Sequence, residues 1–241
     1  MRRTGASSGL VSRIIQHLIG QGFVEKITAR EFRFRDWLGL LDSWADSDRF
    51  PKRVRSTLYA GFFGSPQELA DRLQKWAESQ KARLAFTQWS AAWTRHPYTE
   101  PAVCSAYVDR PLGAVALDEL GLRPVSDGGK LWLHTPDDEG LFTETQHRGG
   151  LTLVSDAQIY LDLQRTGLRG PDAASALREW EGFCRPWNTT TTLNWFQIFH
   201  LRRRRHHSNA NCRGGGKIDG FVAVGDGNGP LLSNKRWIYS S

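Results

Sequence analysis

Apolar residues recur at helical spacing early in the chain. Val11, Ile14, Ile15 and Leu18 fall at i, i+3, i+4 and i+7, which puts four apolar side chains on one face of a short helix. At about 100° per residue the opposite face carries Gly9, Ser12, Arg13, Gln16 and Gly20, all small or hydrogen-bonding. Ser7 or Ser8 is placed to cap the start of this helix, and Gly20 with Gly22 stops it. Beyond Gly22 the period falls to two. Phe32 and Phe34 alternate with Glu31, Arg33 and Arg35, so a strand turns its aromatics inward and its charges outward, with Thr28 to Arg30 at the tip of the ribbon. Asp36 then caps a second helix, in which Trp37, Leu40, Leu41 and Trp44 repeat the apolar spacing and are expected to pack back on the ribbon.

Further along, the pattern is mixed. A strand is expected over 54–63, then a helix to about residue 81 opened by Ser65-Pro66-Gln67-Glu68, a capping box with proline at the first helical position. Leu69, Leu73, Trp76 and Ala77 form its buried stripe. Residues 86–93 read as a short apolar helix, 103–108 as a strand and 112–120 as a helix. Residues 130–134 and 140–143 read as a hairpin around the acidic turn Asp137-Asp138-Glu139. A last strand is expected over 151–154, followed by helices over 155–166 and from Pro171 to about Trp180.

Charge divides the chain along the same lines. Residues 1–35 hold seven Lys or Arg against two Asp or Glu, residues 36–183 hold 16 against 21, and residues 184–241 hold nine against two. A basic first segment ahead of an acidic body suits a protein whose N-terminal part meets phosphates while its middle does something else. A helix followed by an arginine-bearing ribbon is the order of a winged helix-turn-helix, with Arg13 and Gln16 as the base readers and free N–H groups at the capped end for a phosphate. A full motif has two helices ahead of the reading helix, and Met1 to Gly5 reads as the end of the second, so the module is expected to be truncated, with either an upstream start or weak DNA binding.

The remaining chemistry is thin. Cys104, Cys184 and Cys212 are far apart and odd in number, which suits a reducing cytoplasm, and no apolar run suggests export or a membrane span. Gly5-Ala6-Ser7-Ser8-Gly9 matches a nucleophile-elbow pattern without the strand that must precede it. Asp71 stands alone where a magnesium site needs two carboxylates, and His200, His206, His207 and Cys212 match no zinc spacing. The expectation is a non-enzyme with no metal and no cofactor.

Gly9-Leu10-Val11-Ser12-Arg13-Ile14-Ile15, the Gly22-Phe23-Val24-Glu25 exit and Leu40-Leu41-Asp42-Ser43-Trp44-Ala45 together resemble the winged helix of the AbiEi family, antitoxins of type IV toxin–antitoxin systems. Residues 154–163 and the run Gly167-Leu168-Arg169-Gly170-Pro171-Asp172-Ala173-Ala174 resemble the closing helix pair of the same family. The resemblance implies a cytoplasmic antitoxin that represses its own operon by binding double-stranded DNA and counters a nucleotidyltransferase toxin. Carried over residue by residue, it puts DNA contacts on Ser7, Ser8, Ser12, Arg13, Gln16 and His17, with Arg30 and Arg33 on the wing; His17 lies between the exposed and buried faces, where a flanking phosphate contact or plain solvation is the alternative. The other reading is a non-enzymatic protein interaction domain with a vestigial winged helix.

The chain is thus expected to be α+β: a partial winged-helix module over residues 1–50, a mixed α/β antitoxin domain over 51–183, and a basic tail of low order over 184–241. In that tail Arg202 to Arg205 could lie on phosphates with Trp187, Trp195 or Phe196 stacking; a solvated extension and a shifted reading frame after residue 183 are the alternatives.

Overall fold

A computed structural model describes residues 7–29, 31–167 and 169–184, and the backbone of 192–194. Helix α1 (Ser8–Gly20) starts at Ser7, whose hydroxyl accepts from the Leu10 N–H. It ends where Gly22, at φ +79°, reverses the chain so that the Gly22 and Phe23 N–H groups donate to the Ile19 and Leu18 carbonyls. Strands β1 (Val24–Lys26) and β2 (Glu31–Phe34) follow, antiparallel with Val24 opposite Phe34. Val11, Ile15, Leu18, Val24 and Phe32 close into a small core of their own, with Ile14 half-buried at its margin.

Helix α2 (Trp37–Ser47) starts at Asp36, whose carboxylate accepts from the Gly39 N–H at 2.8 Å. Its allegiance differs from expectation. Only Leu40 packs on the small core, whereas Trp37, Leu38, Leu41, Trp44 and Ala45 enter the larger core beyond it. An apolar stripe wider than the ribbon can cover goes where more surface is available, so α2 is part of the body and carries the N-terminal module on its outer edge.

The body continues through a single turn α3 (Phe50–Arg53), β3 (Val54–Ala60), α4 (Pro66–Gln80), β4 (Leu84–Phe86), α5 (Gln88–Arg95), β5 (Cys104–Val108), α6 (Ala114–Leu120), β6 (Arg123–Val125), β7 (Leu131–Pro136), a 3-10 turn Glu139–Phe142, β8 (Gln146–Arg148), β9 (Leu151–Leu153), α7 (Asp156–Leu163) and α8 (Gly170–Glu179). Seven strands form one mixed sheet in the order β6-β3-β7-β5-β4-β9-β8, with β5/β7 and β4/β9 parallel and the other pairs antiparallel. All five residues of β5 are buried, as in a central strand covered on both faces. Helix α4 packs on β5 and β9, and α5 packs on β5 and against α7 and α8.

The chain is therefore α+β, with local departures from the sequence pattern. The expected helix over 86–93 forms two residues later, as α5, because Phe86 ends β4, Thr87 is extended and Gln88 takes φ +48°, and periodicity alone does not fix the boundary between strand and helix in a short apolar run. The expected hairpin of 130–134 with 140–143 does not form: β7 already has β3 on one edge and β5 on the other, and the acidic turn closes on itself with the Asp138 carboxylate accepting from Gly140. Strands β6 and β8 are short, polar edges with no alternating signal. Within the segment expected to be of low order, Thr192–Asn194 forms β10 on the edge of β2; Trp187, Trp195, Phe196 and Arg202 to Arg205 lie outside the described residues.

Candidate nucleic-acid interface

The two faces of α1 separate as the pattern requires. Val11, Ile15 and Leu18 are buried, while Ser7, Ser8, Gly9, Arg13, Gln16 and Gly20 are exposed and Ser12 and His17 are half-buried. Gly9, Arg13, Gln16 and Gly20 lie within about 60° of one another around the helix axis. Among the described residues nothing requires either glycine. A Cβ built on either meets nothing within 4 Å, and neither has a positive φ, so alanine would fit and would favour the helix. A flat, exposed stripe flanking an arginine and a glutamine permits another molecule's backbone to come close.

The wing is less open than expected. Arg33 and Glu25 are cross-strand partners and form an ion pair through the Arg33 Nε, with both side chains roughly two-fifths exposed. Arg33 is thus held by a carboxylate, although water still reaches the pair. The ribbon's turn is closed by the Ile27 and Thr28 N–H groups on the Glu31 carbonyl, and Ile27, Thr28 and Ala29 are exposed beside it. Arg30 lies outside the described residues.

A second set of polar groups ties α2 to the body. Asp42 accepts from the Tyr160 hydroxyl at 2.7 Å and from Arg178 at 2.9 Å, and Arg165 donates to the Ala45 and Asp46 carbonyls at the end of α2. Arg53 chelates Asp48, the C-cap of α2, with 2.7 and 3.1 Å bonds, and reaches Asp162 at 2.7 Å. Asp162 is fully buried and also accepts from Thr87, Tyr107 and Gln158. Burial pushes its carboxyl up, against the opposing pull of the Arg53 guanidinium and the Thr87 and Tyr107 hydroxyls. Four donors leave this carboxylate little capacity for anything else, so the network fixes α7, the start of α5, β5 and α3 together rather than presenting a reactive group. Nothing in the sequence flagged it except a lone carboxylate in the apolar run Tyr160-Leu161-Asp162-Leu163.

One pair has the elements of a nucleophile and base. The exposed Ser56 hydroxyl lies 2.8 Å from His134 Nδ1. His134 is buried against the edge of the Phe50 ring, and burial, reinforced by the Arg53 charge, pushes its pKa down to about 4. So weak a base gives little general-base assistance at neutral pH. Among the described residues no three or more His, Cys, Asp or Glu side chains come together as a metal would require, and no helix is long and apolar enough to cross a membrane. Comparison of the chain with family models, with curated proteins and with solved structures gives no match.

Proposed function

We propose that this protein is a DNA-binding antitoxin-regulator of the type IV kind, in which α1 lies in the major groove, β1 and β2 flank it as a wing, and the body counters a nucleotidyltransferase toxin. The observation that carries the DNA reading is the exposed stripe of Gly9, Arg13, Gln16 and Gly20, whose glycines answer to no contact among the described residues. Arg13 has the fork that pairs with guanine and Gln16 the amide that pairs with adenine, and the capped N-terminus of α1 offers N–H groups to a phosphate. The antitoxin role is supported by the family resemblance at both ends of residues 2–181. Such work belongs in the cytoplasm, where operator and toxin are found.

Fluorescence anisotropy with double-stranded DNA from upstream of the coding sequence, across a salt series, tests this. Three to four phosphate contacts give a slope of log affinity against log salt of about −3 to −4. A flat line removes the reading. The ion pair of Arg33 with Glu25 favours a second reading, a protein interaction domain whose wing has lost its phosphate contacts; that reading calls for the flat line. The antitoxin half is tested separately, by coexpression with a nucleotidyltransferase toxin encoded beside it: restored growth supports it, and continued arrest overturns it.

A further inference from the structure

Strands β6, β3 and β7 lie side by side at one end of the large sheet. Facing residues of a ladder share a face with each other and with residues two apart along each strand, so the register sorts one face into rows. Ser56 and His134 stand in the inner row, Val125, Leu58 and Trp132 in the next, and Arg123 and Ala60 in the outer one. Lys130 joins the outer row, two residues before Trp132 and still in the ladder through its carbonyl, which accepts from the Cys104 N–H. Val125, Leu58 and Trp132 are half-buried, and Ser56, Arg123 and Lys130 are exposed. Tyr59, Leu131 and Leu133, which point the other way, are buried. This face is therefore open to solvent along an apolar row, with a hydroxyl on one side of it and two cations on the other.

Charge is segregated here as well. Residues 36–183 hold 21 Asp or Glu, yet β3, β6 and β7 contain none. Neither Arg123 nor Lys130 enters an ion pair among the described residues. In the turn that joins β6 to β7, the Asp127 carboxylate is occupied by the Gly128 N–H at 2.7 Å. The Trp132 indole is held in place by its N–H, which donates to the Gly129 carbonyl at 3.1 Å. Phe62, four residues past Leu58 and so at most about 14 Å from it, is 93 % exposed. Aromatic rings beside cations on a sheet face are how single strands are held, the bases stacking on the rings and the phosphates meeting the cations. Adjacent rows lie about 7 Å apart, comparable with the reach from a base to its own phosphate. Three half-buried apolar side chains are few for a stable protein interface, whereas unpaired charge of one sign suits a polyanion.

We propose that this face of β6, β3 and β7 binds single-stranded nucleic acid, with a base stacked on Trp132, its edge at the Ser56 hydroxyl and its phosphate on Arg123 and Lys130. Phe62 offers a second ring to a neighbouring base. The site is separate from α1 and does not rest on the duplex reading.

Fluorescence anisotropy of a labelled oligothymidylate with the full chain, in the presence of saturating unlabelled upstream duplex, tests this. The oligonucleotide should bind, Trp132→Ala should weaken it roughly 5- to 150-fold, and Trp132→Tyr should keep most of the affinity. Arg123→Ala with Lys130→Ala, both at exposed positions, should leave thermal unfolding unchanged and make the salt slope shallower by about 1.4, the share of two phosphates on a single strand. If Trp132→Ala does not fold, the alanine pair decides. No binding, or binding that none of these changes weakens, overturns the site. Competition by thymidine monophosphate as effective as that of the unlabelled strand overturns a strand as its ligand. Loss of protection against the toxin in the alanine pair, with strand binding intact, makes the face a protein contact and overturns the proposal too. Strand binding that behaves as expected in a chain that ignores the duplex supports this site and overturns the reading of α1.

Discussion

Acid should destabilise this protein through His134. The ring is 2 % exposed, held by Ser56 on Nδ1 and packed against Phe50 and Tyr107, with the Arg53 guanidinium nearby. Its pKa is about 4 in the folded chain against 6.5 when free, so the unfolded chain takes the proton first as pH falls. Stability from this residue is therefore full above pH 6.5, is lost progressively between pH 6.5 and about 4, and changes no further below that. A gap of about 2.5 pH units at roughly 1.4 kcal/mol each gives a total of about 3–4 kcal/mol, a large share of the ~5–15 kcal/mol typical of a domain. Urea titrations from pH 7.5 to 4, on the unaltered chain and on His134→Gln, measure it. The variant loses packing at every pH, but its stability should lack this slope. Asp162, whose raised carboxyl pKa acts in the opposite direction, is present in both proteins and cancels in the difference. Equal slopes in the two proteins between pH 6.5 and 4, with equal m-values, would refute the reasoning.

Other consequences follow from the same geometry. Asp162→Ala strips Arg53, Thr87, Tyr107 and Gln158 of a shared acceptor and leaves a guanidinium short of its partner, so urea unfolding should show a loss of about 3–5 kcal/mol. Gly20→Ala should gain a few tenths of a kcal/mol in thermal unfolding, yet weaken DNA binding by crowding the reading stripe; equal or tighter binding in an anisotropy titration would count against close approach there. Glu25→Gln releases Arg33 from its ion pair, and DNA affinity should rise at low salt with a slope steeper by up to about one phosphate contact; no change would mean that Arg33 does not meet DNA.

What the sequence made legible was set by locality. Helix α1 rests on four apolar residues at a 3.6 period and on the Ser7 cap, and α4 on Ser65 and Glu68, all signals contained within a few turns of a single helix. The exposed stripe of α1 was readable for the same reason. What was hidden depends on partners far along the chain. The departure of α2 from the wing to the body follows from Tyr160, Arg165 and Arg178, more than a hundred residues away. The hairpin expected at the acidic turn was excluded by β3 and β5 taking both edges of β7, a matter of topology rather than of local pattern. Alternation placed Arg33 on the outer face of the wing but could not give the register that sets it opposite Glu25. The buried network around Asp162 is assembled from four separate elements, and a single carboxylate among apolar residues is a signal too weak to find it.

The central claim, that the outer face of α1 reads DNA sequence, is tested most directly by measuring Arg13→Ala against the unaltered chain on upstream DNA and on a scrambled duplex of the same composition at one salt concentration. Removal of a bidentate base contact worth about 1–3 kcal/mol should cut affinity for the upstream DNA roughly 5- to 150-fold, and affinity for the scrambled duplex by much less. Equal losses on both duplexes, or none on either, would contradict it.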